Sequence, residues 1–266
     1  MSVDPMRFGD LQLKACKYGW MVFTGPYIGK CFELYGEYSE AEVDAMRLFL
    51  SEGSYAIDVG ANIGDLTVPM ARMVGDTGRV IAIESHAEIH NVLCANLALN
   101  HLLNTKPMNV FVGSRSDVST TSTAWAKNAY VSEIWEPRIM PLDALDLPRC
   151  DFIKIDVDGK ERDVLVSGSA LIDRYRPVLY FENDQPEHSP DLLAHALALD
   201  YDLYWHIAPI FRPDNYANNP VNHWAPKNIS SIMTLGIPSE RNTQMSGLPR
   251  IRSKDESWLD HYPKQA

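Results

Sequence analysis

The chain has 266 residues and a formal net charge of −11, with 35 acidic against 24 basic residues. A hydrophobic fraction of 45% over this length is enough to bury the core of one large domain. The acidic balance argues against nucleic acid as a partner, because binding to a polyanionic backbone depends on basic patches.

The cysteines and the N-terminus indicate the compartment. Cys16, Cys31, Cys94 and Cys150 form no C-x-x-C pair, so neither a zinc knuckle nor a disulfide framework is predicted. The start MSVDPMRFGD has no basic residues followed by an apolar run, and no stretch approaches the ~18 apolar residues of a membrane span. We therefore predict a cytoplasmic protein with reduced thiols and no membrane span; a homo-oligomer is compatible with the sequence.

Residues 1–50 precede the first strand–turn–helix pattern. Aromatic and β-branched residues around Gly25-Pro26 predict a β-hairpin or short meander. Ser39, with Glu42 three residues on, is the pattern of a capping box and predicts a helix that begins there. We expect this segment to be a lid over one edge of a sheet, within the same domain.

The stretch Tyr55–Gly64, YAIDVGANIG, is the most informative part of the chain. An apolar run ends in Asp58, and two glycines bracket a tight turn before a segment with helical spacing. Gly60 and Gly64 allow positive φ and a close approach of the backbone to a ligand, and the helix start presents N–H groups to it. Asp58 would repel a pyrophosphate and attract an ammonium, so the predicted ligand carries an amino group.

The details of this turn separate it from two common nucleotide motifs. The dinucleotide fingerprint is not met, because Asn62 stands at the second glycine position, and no Gly-Lys-Ser/Thr follows as in a P-loop. Glu84 ends the next predicted strand, RVIAIES, 20 residues beyond Gly64. In doubly wound sheets an acid at that place accepts hydrogen bonds from ribose hydroxyls.

Strands and helices then alternate, which predicts a parallel sheet that binds ligands at the carboxyl ends of its strands. The polar stretch 114–136 contains Trp125, Tyr130 and Trp135 and is longer than most connections. It is either a loop near the substrate or adenine, or a surface excursion with a small aromatic cluster.

Two later strands carry polar residues. Lys154 lies inside the apolar run DFIKID and is costly to bury unless it is paired, so we expect it to reach Asp58, Asp156 or a substrate oxygen. The strand RPVLYFEN ends in Glu182 and Asn183. Asp156, Glu182 and Asn183 form an all-oxygen set that Mg²⁺ accepts. We prefer hydrogen bonds to a hydroxylated substrate, without a metal.

The last third of the domain is predicted to hold two antiparallel strands, 201–206 and 229–235, joined by a loop rich in Asn, Pro and aromatic residues. Such loops suit a carbohydrate pocket and are also ordinary turn formers; we select Asn215 as a substrate contact. His206 is the first candidate for a general base, because an unperturbed pKa of about 6.5 suits proton removal near neutral pH. His223 competes for this role.

Four runs in order, DVGANIGDLT, GRVIAIES, DFIKIDVDGKERDVLVSG and RPVLYFEN, resemble the FkbM-type group of class I S-adenosylmethionine-dependent methyltransferases. The resemblance extends from about residue 35 to 240. It implies a Rossmann-like α/β fold, with a doubly wound, mostly parallel seven-stranded sheet, an antiparallel final strand and methyl transfer to a hydroxyl of a sugar or natural product. Two departures are Ser85 after Glu84, where the family commonly has Pro, and Asp158 in place of Glu.

The resemblance also implies site roles with S-adenosylmethionine as the cofactor. Asp58 would bind the methionine amino group, by its charge or through the turn that it organises. The backbone of Gly60, Asn62 and Gly64 would face the amino-acid portion. Thr67 would bind its carboxylate, and Glu84 would hold the ribose.

Acceptor and domain roles complete the prediction. Asp156 and His206, with Lys154 beside them, would handle the proton, and 35–38 would lie across the methionine end or form only part of the lid. The domain is expected over 51–240, followed by a weakly ordered tail over 241–266.

Two other function classes stay open from the sequence alone. A nicotinamide-dependent oxidoreductase shares the turn and the ribose acid, but Asp58 and the missing glycine disfavour it. A catalytically silent binding protein with the same fold is the other.

Overall fold

The computed structural model describes residues 5–113, 138–225 and 229–262. Its strands are β1 (Met6–Phe8), β2 (Leu11–Cys16), β3 (Gly19–Phe23), β4 (Tyr55–Val59), β5 (Arg79–Ile83), β6 (Thr105–Met108), β7 (Phe111–Val112), β8 (Ile139–Met140), β9 (Phe152–Ile155), β10 (Val178–Glu182), β11 (Tyr201–Pro209), β12 (Ser230–Pro238) and β13 (Arg250–Ile251). Its helices are α1 (Ile28–Tyr35), α2 (Glu40–Arg47), α3 (Thr67–Val74), α4 (Ala87–Leu99), α5 (Glu161–Ser167), α6 (Ser169–Tyr175) and α7 (Ser189–Ala198).

An eight-stranded sheet forms the centre, in the order β13-β11-β12-β10-β9-β4-β5-β6. The run from β10 to β6 is parallel, whereas β12 lies antiparallel between β10 and β11. The predicted doubly wound sheet with an antiparallel last strand is confirmed. The eighth strand, β13, lies in the stretch predicted to be a weakly ordered tail. That prediction was wrong for this part of the tail, because β13 pairs with β11.

The strands are apolar on both faces, as central parallel strands require. Ala56 and Phe152 belong to one hydrophobic cluster, and their neighbours Ile57 and Ile153 belong to a second cluster on the opposite face. The sheet is therefore covered on both sides, and its carboxyl edge carries the polar side chains.

The N-terminal segment covers one of these faces. β1, β2 and β3 form a separate antiparallel sheet, whose β2–β3 turn falls at Lys17-Tyr18 rather than at the predicted Gly25-Pro26. The Gly-Pro pair instead ends β3, and the helix α1, which the sequence analysis missed, follows it. Phe32 of α1 and Val43 of α2 share a cluster with the main sheet.

The entry to α2 differs from a capping box. Ser39 has φ +43°, and its hydroxyl donates to Glu42 Oε1 at 2.6 Å instead of accepting from the backbone. Glu42 is thereby turned inward and buried. The helix ends at Arg47.

Three smaller outcomes concern other predictions. The segment 108–113, MNVFVG, which the alternating pattern predicts as one strand, is divided between two sheets: Met108 ends β6 in the main sheet, and β7 pairs with β8. The long stretch 114–136 lies outside the described residues. All four cysteines are free thiols, and among the described residues no helix is both long and apolar enough to cross a membrane.

Candidate functional site

The strand register brings distant polar residues to one face of the sheet. Asp58 pairs with Lys154, and Lys154 pairs with Tyr180 across three adjacent strands. Residues paired in this way share a face, and the residue two positions on returns to it. Asp156 and Glu182 therefore follow on the same face at the carboxyl edge.

His206 joins this row from the other side of the antiparallel strand. Met233 of β12 pairs with Glu182 on one side and with His206 on the other. The structure thus brings together Asp156, Glu182 and His206, which lie up to fifty residues apart in the chain.

Lys154 is held between two carboxylates, as predicted. Its Nζ lies 3.2 Å from Asp58 Oδ1 and 3.5 Å from Asp156 Oδ2, and it donates to the Gly60 carbonyl at 2.9 Å. Burial alone would lower the pKa of Lys154, but the negative charges of Asp58 and Asp156 raise it above its ordinary value. The charged ammonium fastens β9 to the turn after β4.

Asp58 and Thr67 face each other rather than an open site. Asp58 is fully buried, and the Thr67 hydroxyl donates to Asp58 Oδ2 at 2.6 Å. This differs from the expectation that Thr67 would bind a ligand carboxylate, because its hydroxyl proton is already used. Through Thr67 and Lys154, Asp58 is tied to the start of α3 and to β9.

The glycine turn is pressed between two neighbouring strands. Gly60 has φ +79°, and a Cβ there would lie 1.8 Å from the Asp156 carbonyl oxygen. The N–H groups of Gly60 and Ala61 both donate to the Ile83 carbonyl at 2.9 Å. Only glycine meets both conditions at position 60, since a side chain would clash and the φ is left-handed.

Glu84 closes the other side of the turn. Its Oε2 accepts from the Asn62 N–H at 3.0 Å, and its Oε1 accepts from the His86 N–H at 2.8 Å. Burial raises the pKa of Glu84 to about 7. Each oxygen can accept a second hydrogen bond, so the carboxylate is both oriented and able to bind hydroxyls.

Asp156 and Glu182 form a coupled carboxyl pair. Burial, and next the negative charge of Asp156, raises the pKa of Glu182 far above its usual range, and a side-chain hydrogen bond links the two groups. The Asp156 side chain is 39% exposed and is the member that solvent reaches. Glu182 therefore keeps its proton at neutral pH.

His206 is held by a tyrosine. Its Nδ1 lies 2.8 Å from the Tyr180 hydroxyl, and burial lowers the pKa of His206. The imidazole is therefore neutral at pH 7 and able to accept a proton. The competing His223 lies in the following loop, with its ring 5.1 Å from that of Trp224.

Two predicted substrate residues are placed elsewhere. Asn183 donates to Thr234 Oγ1 at 3.1 Å, and Thr234 pairs with Phe181, so Asn183 lies on the opposite face from Glu182. The amide of Asn215 is buried and donates to the Arg212 carbonyl, among other bonds within its own loop. Neither amide is directed at the carboxyl row.

The alternative magnesium set is not assembled. Asn183 faces away, so its amide oxygen does not lie beside Asp156 and Glu182. Within 5–113, 138–225 and 229–262, no three His, Cys, Asp or Glu side chains gather as a metal-binding group.

Several acids near the site were missed or underrated by the sequence analysis. Glu161 accepts from the N–H groups of Val157 and Gly159, at 3.0 and 3.1 Å, and so shapes the loop after β9. Burial raises the pKa of Glu161 to about 7. Glu42 and Asp65 are also buried. Their only sequence signal is an acid at an apolar position of a helix or a turn.

Aromatic side chains of the N-terminal segment stand over the same edge. The Tyr27 ring lies 6.2 Å from that of Tyr38 and 5.1 Å from that of Trp224. Burial raises the pKa of Tyr27, and the charges of Glu182 and Asp156 act in the same direction. Tyr27 therefore lies close enough to Asp156 and Glu182 for their charges to affect its pKa.

The strand order, the glycine turn between β4 and α3 and the acid after β5 define a class I S-adenosylmethionine-dependent methyltransferase fold. The family model for the methyltransferase FkbM domain matches residues 58–203, which is more than half of the chain. The chain therefore belongs to the methyltransferase FkbM family.

Individual relatives are distant. The 23S rRNA (uracil(1939)-C(5))-methyltransferase RlmD of Acinetobacter baylyi is 29% identical over 90 residues, which are 34% of this chain and 19% of that protein. The match thus spans about a fifth of this curated relative.

A solved structure shows a similar fold. A SAM-dependent O-methyltransferase from Thermotoga maritima has a TM-score of 0.52 at 14% identity, over 85% of this chain and 77% of that one. At this identity the likeness concerns the fold alone. The methyltransferase FkbM from Methylobacillus flagellatus KT also aligns with the chain, with a TM-score of 0.47 at 18% identity, over 70% of this chain and 44% of that one.

Proposed function

We propose that the protein transfers a methyl group from S-adenosylmethionine to a hydroxyl oxygen of a sugar or natural product. The observation that carries this proposal is the row of acid–base groups at the carboxyl edge: the exposed Asp156 beside Glu182, and the neutral His206. A hydroxyl must lose its proton when its oxygen is methylated, so such a row suits O-methylation.

The residues at the turn fit the cofactor. Glu84 offers an oriented carboxylate for the two ribose hydroxyls, and its backbone donors leave room for both bonds. The turn over Gly60 and Asn62, followed by the start of α3, brings main-chain groups close to the amino-acid end. When bound, the cofactor supplies an electrophilic methyl on a good leaving group.

The chain then has two tasks, to align the acceptor and to take its proton. Asp156 is the exposed member of the carboxyl pair and is the group that we assign to accept the hydroxyl proton. Lys154 holds Asp156 in place. His206 stands in the same row as a second acceptor or as a relay with Tyr180. Positioning supplies most of the rate.

The acceptor is proposed to lie under the aromatic rings of Tyr27 and Tyr38. Flat aromatic faces pack against the C–H faces of sugars or against planar natural products. Residues 1–50 would then act as a lid within the same domain as 51–240, which their shared hydrophobic cluster supports. The net charge of −11 favours a small acceptor over RNA.

Calorimetric titration with S-adenosylmethionine and S-adenosylhomocysteine tests the cofactor part. We expect micromolar binding of both that is lost in Glu84→Ala and kept in the matched control Glu88→Ala, whose side chain is exposed on α4. Folded protein that binds neither compound would refute the proposal.

The acceptor part needs a product. Deoxysugar-containing glycans and hydroxylated natural products are screened as acceptors by the S-adenosylhomocysteine that the reaction releases, with and without EDTA. The carbon NMR chemical shift of the transferred methyl group then shows whether it is bonded to oxygen, nitrogen or carbon. An N- or C-methyl product would contradict O-methylation. Turnover that is lost with EDTA and restored by Mg²⁺ would contradict the metal-free site.

A further inference from the structure

Two acids flank the glycine turn between β4 and α3: Asp58 lies near the end of β4, and Asp65 lies two residues before α3. Asp58 is fully buried, with Thr67 on one oxygen and Lys154 beside the other. Its charge is therefore compensated within the protein. An ammonium group of a ligand would have to displace Lys154 to reach it.

Asp65 is in the opposite situation. It follows Gly64, before the start of α3, and only 8% of its surface is exposed. Its Oδ1 is buried and has no hydrogen-bond partner in the described part of the chain. A buried carboxyl oxygen without a partner is costly, and such a group in a native protein calls for an explanation such as a bound water, ion or ligand.

The surroundings of Asp65 place it at the border of the sheet edge and the lid. Burial raises the pKa of Asp65 to about 8, against the opposing charge of Lys154, while Asp58 and Asp156 act with burial. On the lid side, the charge of Asp65 reaches Tyr38 and Cys31, whose pKa values it helps to raise after burial. Asp65 thus lies within electrostatic reach of both the sheet edge and the lid.

We infer that Asp65, rather than Asp58, binds the α-ammonium of the cofactor's methionine moiety. This inference rests on the proposed function. The start of α3 offers N–H groups to the α-carboxylate of the same zwitterion, and Asp65 at its mouth offers the counter-charge to the ammonium. Asp58 is then a positioning residue that fixes the turn through Thr67 and Lys154.

The test compares S-adenosylhomocysteine with its analogue in which hydrogen replaces the α-amino group, by calorimetry on the full chain. With wild type we expect the analogue to bind roughly ten- to a hundredfold more weakly, as for loss of one charge-assisted hydrogen bond. This comparison needs no variant, and equal affinities would overturn the inference.

Asp65→Asn then assigns the effect to a residue. Asparagine resembles the protonated acid that the free protein largely holds at pH 7, so the variant is expected to fold; its urea midpoint checks this. We expect roughly ten- to a hundredfold weaker binding of S-adenosylhomocysteine, and affinities for the two compounds within about threefold of each other. Asp76→Asn, an exposed acid beyond the other end of α3, is the matched control and should behave as wild type.

The outcomes separate the two levels of the argument. If wild type binds S-adenosylhomocysteine and Asp65→Asn still discriminates against the amine-free analogue, the assignment to Asp65 is wrong and the cofactor proposal stands. If wild type binds neither S-adenosylmethionine nor S-adenosylhomocysteine, the proposed function fails and this inference fails with it.

Discussion

Replacing Lys154 by methionine probes the ion pair that joins β9 to the cofactor turn. The Nζ lies 3.2 Å from Asp58 Oδ1, and both side chains are almost fully buried. At an effective dielectric constant of about 20, two unit charges at this distance attract by about 5 kcal/mol. Removing the lysine leaves Asp58 charged and without a cation, and breaking such a buried pair costs about 3–5 kcal/mol. We therefore expect Lys154→Met to lose about 3–5 kcal/mol of unfolding free energy.

Urea unfolding at pH 7 measures this loss. The matched control is Lys160→Met, which removes a lysine from a surface pair with Asp163 at 3.6 Å and should cost less than about 1 kcal/mol. The double variant Asp58→Asn with Lys154→Met removes both charges and should be more stable than the sum of the single losses implies. A Lys154→Met variant within about 1 kcal/mol of wild type would refute the reasoning, as would additive losses in the cycle.

Three further outcomes are expected. Burial raises the pKa values of Glu84 and Glu161 to about 7, so the folded protein holds protons that the unfolded chain releases above about pH 4.5. The free energy of unfolding should therefore fall by about 2 kcal/mol per group from pH 5.5 to 8. A urea midpoint that rises with pH over this range would contradict this. Gly60→Ala should lose both stability and S-adenosylhomocysteine binding, because its Cβ would meet a carbonyl oxygen at 1.8 Å, whereas Gly247→Ala has similar φ and open space; equal unfolding midpoints would contradict the close approach. Asp156→Asn should keep S-adenosylhomocysteine affinity within about threefold and lower methyl transfer at least about a hundredfold, and full turnover would exclude it as the base.

Much of the framework could be predicted from local patterns. In YAIDVGANIG a short apolar run predicts a buried strand, and the two glycines that follow it predict a turn with positive φ. β4, the turn and α3 therefore follow from neighbouring residues. The partner of Lys154 could be predicted as well, since a buried ammonium in a strand needs a carboxylate nearby. The position of Glu84 at the end of the next strand could be predicted from its spacing of 20 residues after Gly64.

Other features depended on contacts between distant segments. The helix α1 follows an aromatic stretch that resembles a hairpin, and its apolar residues are buried only by packing against distant parts of the chain, including the main sheet. Asn183 and Glu182 are adjacent in sequence, yet the pleat of the strand directs their side chains to opposite faces of the sheet. Which face each side chain takes follows from the pairing of β10 with β12.

The sequence by itself determined the class of fold, the glycine turn and the need for a compensated lysine, because these depend on backbone conformation and on the cost of buried charge. Only the tertiary structure decided which acids are compensated and which are not. Asp58 is neutralised by a lysine 96 positions further along the chain. Burial, and next the charge of Asp156 on the adjacent strand, raises the pKa of Glu182. Asp65 is buried beside the lid with an unpartnered oxygen among the described residues. Electrostatic environment is a property of the packed neighbours, and residue type alone does not specify it.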